Sequence, residues 1–190
     1  MKGRIVIVDD EPITRLDIKD MLIEADYEIC GEAADGFEAV EICRKEKPDL
    51  VLMDIQMPIL DGLKAAKKIA QDKLACSIVF LTAYSDSDNT EKAKKIGATG
   101  YLVKPIDEKS LIPTIEVAIA KGKQTQNLEA EIEALKTRLE ERKIIEKAKG
   151  VLGQSLNISE DEAYRHLRKL SMDKRAKMKE IAELILMDND

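Results

Sequence analysis

RIVIVDDEP, residues 4–12, sets an apolar, β-branched run directly before three carboxylates, Asp9, Asp10 and Glu11, and a proline. Like charges in a row repel, so such a cluster is either fully solvated or gathered around something positive. VLMDIQMP, residues 51–58, repeats the pattern with an apolar run ending in Asp54. SIVFL (77–81) is followed by Thr82, and GYLV (100–103) by Lys104 and Pro105. With YEICGEA (27–33), these make five strand candidates before residue 122. Between them run helical periods such as Ile13, Leu16, Asp17, Asp20 and Met21, or Phe37, Val40, Glu41 and Arg44, with apolar residues expected on the buried face. Strands alternating with helices predict βαβ units, hence an α/β, doubly wound, five-stranded parallel sheet. In that architecture the loops after the strands gather at one edge. Asp9, Asp10, Asp54, Thr82 and Lys104 are therefore expected to meet.

Composition narrows the function. The chain has 190 residues, 44% of them hydrophobic, enough for a core of ordinary size. No apolar run is long enough to span a bilayer, and no basic segment leads into a signal-like core, so a cytoplasmic protein is expected. Cys30, Cys43 and Cys76 are odd in number and widely spaced, which suits reduced core thiols. The net charge of −6 disfavours a protein that coats nucleic acid, but it is unevenly spread. Residues 1–122 sum to −6, 123–141 to −2 and 142–190 to +2, and the stretch 142–179 alone carries +6.

Three carboxylates at one strand edge suit a hard divalent cation with oxygen ligands, Mg²⁺ first among them. A metal, a carboxylate, a hydroxyl and an ammonium together make a phosphoryl-transfer site with Asp54 as nucleophile. Strand-then-DDE, VLMDIQMPILDG, LTA after the fourth strand and GYLVKP after the fifth, in this order, resemble the receiver domain of two-component response regulators over residues 1–122. The resemblance implies a flavodoxin-like fold. It implies that Asp10, Asp54 and the Gln56 carbonyl ligate Mg²⁺, that Asp9 acts through water, and that Asp54 receives phosphate from a sensor histidine kinase. It further implies that Thr82 moves towards the phosphoryl group and that Tyr101 changes rotamer with it, altering the face formed by the helices before and after the fifth strand. A cis Lys104–Pro105 bond is expected to aim the lysine at the site.

Beyond Gly122 the pattern changes. Leu128, Ile132, Leu135 and Leu139 are spaced four, three and four apart, which predicts a coiled-coil linker over 123–141. A single amphipathic helix lying on a neighbouring domain fits the same spacing. Residues 142–190 read as three short helices. Ile144, Ile145, Ala148, Val151 and Leu152 continue the linker helix, GQSLN breaks it, and Ser159 with Glu162 forms a capping box for the next. Tyr164 and Arg168, four apart on that helix, form a pair able to stack an unpaired RNA base and hold its phosphate, although a core-capping tyrosine beside a solvated arginine fits equally. His166 has no second histidine or cysteine close by and reads as a surface residue rather than a metal ligand.

The stretch IIEKAKGVLGQSLNISEDEAYRHLRKLSMDKRAKMKEIAELIL resembles the ANTAR domain, a three-helix RNA-binding module, with AKG, SEDEAY and LRKLSM as matching blocks. Gly153 and Ser171 depart from the residues common there. Carried over by motif, Lys149, Gly150, Tyr164, Arg165 and Arg168 are expected to form an RNA surface. The chain as a whole resembles the ANTAR regulators of ethanolamine utilisation. Such a protein is a phosphorylation-activated regulator that pairs into a homodimer, binds tandem RNA hairpins in leader transcripts and prevents transcription termination. It is no enzyme, with no small-molecule substrate and no membrane partner. Two alternatives are a DNA-binding response regulator, disfavoured by the acids that would open its recognition helix, and a phospho-switched protein-docking adaptor.

Overall fold

A computed structural model describes residues 2–83 and 96–188. The strands are β1 (Arg4–Val8), β2 (Glu28–Ala33), β3 (Leu50–Asp54), β4 (Ser77–Thr82) and β5 (Gly100–Val103), of which the apolar inner runs β1, β3 and β4 are buried almost throughout and β2 and β5 only in part. They form one parallel sheet in the order β2-β1-β3-β4-β5. Helices α1 (Pro12–Glu24), α2 (Gly36–Glu46) and α3 (Gly62–Gln71) connect the first four strands. The helix expected before β5 falls at 84–95, outside the described residues.

Alternation along the strands sorts side chains into two layers. Val6, Val8, Val51, Met53 and Phe80 pack with Ala39, Cys43, Ala66 and Ile69 of α2 and α3. Ile5, Ile7, Leu50, Leu52 and Leu81 pack on the other side with Ile18, Leu22, Leu111 and Ile115. Cys43 is fully buried, and burial pushes its thiol up to about 12. Cys30 and Cys76 are also free thiols but only part-buried, and Cys30 packs against the edge of the first core layer.

The phase of α1 is also corrected. Ile13 and Leu16 are exposed, and the buried face belongs to Ile18 and Leu22. Apolar residues lie on more than one side of this helix, so periodicity alone does not fix its phase. On α2, Phe37 is likewise exposed while Ala39, Val40 and Cys43 face the core.

Helix α4 runs from Glu108 to Leu156, followed by α5 (Glu160–Lys174) and α6 (Met178–Met187). By packing, the chain divides into two units, Met1–Asn127 and Leu128–Asp190. Within the first, α4 is anchored at the starts of the strands. Ser77 Oγ donates to the Ala118 carbonyl at 2.6 Å, Lys123 pairs with Asp49 at 3.2 Å, and Cys76 Sγ lies 3.6 Å from Gln126 Oε1. Gly122 makes this approach possible, since a Cβ there would sit 2.2 Å from Ser77 Oγ. Contacts with the sheet thus continue past the expected start of the linker at 123.

Within the second unit, Ala148, Leu152, Ala163, Leu167, Ile181 and Ala182 close a small core. The predicted capping box at Ser159 and Glu162 is present. The helix ends within GQSLN as expected, at its last residue: it continues to Leu156 and stops at Asn157, in the left-handed region at φ 53. Asparagine tolerates that conformation better than most side chains, which makes it a natural stop. Among the described residues no helix is long and apolar enough to cross a membrane.

Candidate functional site

The carboxyl ends of β1 and β3 lie side by side where the strand order reverses, the place where open α/β sheets form their sites. Asp9, Asp10 and Asp54 meet there, each offering a carboxylate oxygen within 4.8 Å of the others. Asp9 is fully buried and Asp54 nearly so, while Asp10 is exposed. Lys104, directly after β5 and joined to Pro105 by a cis bond, pairs with Asp54 at 2.5 Å and with Asp9 at 2.7 Å.

Local hydrogen bonds fix these side chains. Asp9 Oδ1 accepts from the Glu11 amide at 3.0 Å, and Asp54 Oδ1 from the Gln56 amide at 3.1 Å. Arg15 donates to the Asp9 carbonyl at 2.5 Å. Thr82, buried at the end of β4, donates to the Ala83 carbonyl at 3.1 Å, and its own carbonyl accepts from the Lys104 amide at 2.8 Å. Tyr101 stands exposed on β5 opposite Phe80 of β4.

Burial raises Asp54 above the ordinary carboxylate range, and the Lys104 ammonium offsets this only in part. Burial also works to lower Lys104, but hydrogen bonds to Asp54 and Asp9 outweigh it and the lysine is held above its usual value. Lys104 thus pairs with two of the three clustered carboxylates. The all-oxygen donor set fits a hard divalent cation such as Mg²⁺.

Two parts of this site are not apparent from strand-end chemistry. Gly62 packs so closely on β3 that a Cβ would lie 1.8 Å from the Asp54 carbonyl oxygen. Asp61 caps α3 by accepting from the Lys64 amide at 2.9 Å. The DG pair after MPIL is the only sequence signal for either.

In the second unit the residues expected to face RNA differ in character. Tyr164 is 41% exposed, and Arg165, His166 and Arg168 lie exposed beside it on α5. Gly150 on α4 is exposed, with nothing within 4 Å of where a Cβ would be. Lys149 is instead tucked in, with its side chain 14% exposed, and pairs with Glu146 at 2.8 Å and Glu160 at 3.7 Å. It therefore ties α4 to the first turn of α5. Leu128, Ile132, Leu135 and Leu139 are each more than half exposed.

Comparison with known proteins agrees with this division. The response regulator receiver domain model matches residues 5–116 and the ANTAR domain model residues 133–186. The transcriptional regulatory protein PdtaR of Mycobacterium tuberculosis is 45% identical over 183 residues, covering 96% of this chain and 89% of that protein. The signal receiver domain of a modulated diguanylate cyclase from Desulfovibrio desulfuricans G20 superposes with a TM-score of 0.60 at 31% identity, covering 65% of this chain and 98% of that one. The receiver domain of sensor histidine kinase PA1611 from Pseudomonas aeruginosa PAO1, solved with a magnesium ion coordinated in its active site cleft, gives 0.56 at 29%, covering 62% and 98%. The acid edge on a sheet of this topology and the helical unit that follows it are thus accounted for together: the chain belongs to the response regulators, as a receiver domain joined to a C-terminal ANTAR domain.

Proposed function

We propose that this regulator is switched by phosphorylation of Asp54 and, once switched, binds tandem RNA hairpins of a nascent leader transcript as a homodimer, preventing termination. The observation that carries the reading is the coupling of Lys104 to both Asp54 and Asp9 in a chain whose second unit presents Tyr164, Arg165 and Arg168 to solvent.

In the phosphorylation step an Asp54 carboxylate oxygen attacks phosphorus on the phosphohistidine of a sensor kinase. The O–P bond forms as the P–N bond breaks, and the released imidazole takes up a proton from solvent. Asp10, Asp54 and the Gln56 carbonyl would hold Mg²⁺, with Asp9 acting through water; when bound, the ion neutralises charge on the transferring oxygens. Lys104 gives up Asp54 for a phosphoryl oxygen, and Thr82 exchanges the Ala83 carbonyl for another. Tyr101, on the neighbouring strand, responds to Thr82.

On the output side, dimerisation joins two RNA-binding units, so two modest affinities multiply through effective concentration. Gly150 leaves open space on the helix for a nucleic-acid backbone to approach. Lys149 supports that surface by holding α5 against α4.

Two predictions test the surface. Tyr164→Ala should weaken hairpin binding by about 1–3 kcal/mol without unfolding the domain, as expected of a base-stacking ring; loss of helical circular dichroism would instead make Tyr164 a core residue. Gly150→Ala should stabilise the helix by about 0.5–1 kcal/mol, yet weaken RNA binding. A rise in both, by thermal melt and by titration, would remove Gly150 from the interface.

The reading as a whole is tested by binding of the full chain, with and without beryllofluoride and Mg²⁺, to a tandem-hairpin RNA and to duplex DNA at one salt concentration. RNA binding that strengthens on activation, with weak DNA binding throughout, is the expected result. Stronger DNA binding would favour a DNA-binding regulator, and no binding to either a protein-docking adaptor.

A further inference from the structure

The apolar seam of α4 is flanked by charges that distinguish the two directions in which a second copy can pair with it. With Ile132 and Leu139 at the a positions of the heptad and Leu128 and Leu135 at d, the flanking g positions are Glu131 and Arg138. The flanking e positions are Glu129, Lys136 and Lys143. All of these residues lie on exposed helix.

Parallel pairing sets each g residue beside the e residue five positions later on the other helix. Glu131 then meets Lys136, which attracts, but Arg138 meets Lys143, which repels. The next d position is Arg142, exposed, which would face its own copy directly after the Leu139 layer. Antiparallel pairing instead sets a against d, Ile132 on Leu135 and Leu128 on Leu139 of the second copy. All four apolar residues then still find partners. In that register Glu131 lies beside Arg138 and Glu129 beside Lys136, each twice by symmetry. Arg142 no longer faces its own copy in this direction. Within the seam, Glu129, Glu131, Lys136 and Arg138 are all matched and no like pair is created.

We infer that the linker seam pairs with a second copy of this chain in antiparallel orientation, with Glu131–Arg138 and Glu129–Lys136 as the contacts that set direction. This rests on the homodimer proposed above and adds its geometry. A seam of two heptads gains little from its core alone, so repulsion in the wrong direction weighs heavily in the choice.

One substitution separates the orientations by sign. In the antiparallel pair, Arg138→Glu places an acid beside Glu131 twice over and should raise the dimer dissociation constant about tenfold. In a parallel pair the same change places an acid beside Lys143 and should lower it. The measurement is sedimentation equilibrium of the full chain with beryllofluoride and Mg²⁺, with circular dichroism to confirm that this exposed position leaves the fold intact. Glu131→Arg combined with Arg138→Glu should return the constant to that of the unsubstituted chain. Tighter or unchanged association of the single variant overturns the antiparallel assignment and leaves the dimer standing. An unsubstituted chain that stays monomeric when activated overturns the dimer itself, and the orientation with it.

Discussion

A chain carrying Asp54→Ala is expected to show the same mass by light scattering with and without beryllofluoride and Mg²⁺, whereas the unsubstituted chain gains mass towards the dimer. The expectation follows from where the charge sits. Asp54 is the carboxylate at the end of the central strand β3, held by the Gln56 amide and by Lys104. Alanine removes the nucleophile, an oxygen of the acidic cluster and the partner of the lysine in one step. Lys104 then keeps only Asp9, at 2.7 Å, and has no phosphoryl oxygen to move to. RNA affinity should stop responding to activation, a complete loss rather than a graded one. Equal mass in both proteins under both conditions would refute the switch. The variant should remain folded, because burial already disfavours the charged form of Asp54 and the substitution removes that cost.

The second large effect concerns a residue with no side chain. Gly62→Ala should destabilise the receiver by about 3 kcal/mol, read as a lower urea midpoint in circular dichroism with an unchanged slope. The added Cβ would lie 1.8 Å from the Asp54 carbonyl oxygen and 2.9 Å from its carbonyl carbon. Neither is the end of a flexible side chain, so the backbone at Asp54 must shift. Phosphorylation should fall with stability, and Gly62→Ser should behave alike. Set beside Gly150→Ala, for which a gain in stability is expected, the pair makes a sharp contrast. The same methyl group meets backbone in one helix and open space in the other. A neutral Gly62→Ala would mean that the loop from Asp54 to Gly62 is more yielding than its packing implies.

Strand-end chemistry was readable because it follows from two local rules, strands as apolar runs and parallel strands sharing an edge. Asp9, Asp10, Asp54 and Lys104 converge as those rules require. Helix phase was less readable. Ile13 and Leu16 are as apolar as Ile18 and Leu22, and only the shape of the sheet decides which pair is buried. The end of α4 was placed within GQSLN but not at a single residue. Gly153 inside GQSLN weakens a helix without ending it, and the left-handed backbone at Asn157 is the actual stop. Lys149 shows a third limit, since its pairs with Glu146 and Glu160 follow from packing that the sequence does not carry. Gly62 was hidden because the sequence carries no distances.

The anchoring of α4 at Ser77, Asp49 and Cys76 also bears on how such proteins are assembled over evolution. The contacts described between this helix and the strands end at Gln126, and the exposed seam opens at Leu128. A recombination event between these points would transplant an output module without disturbing a buried residue of the receiver. Gly122 would be the one inheritance such a chimaera could not trade away, because any larger residue would pry the shared helix from β4.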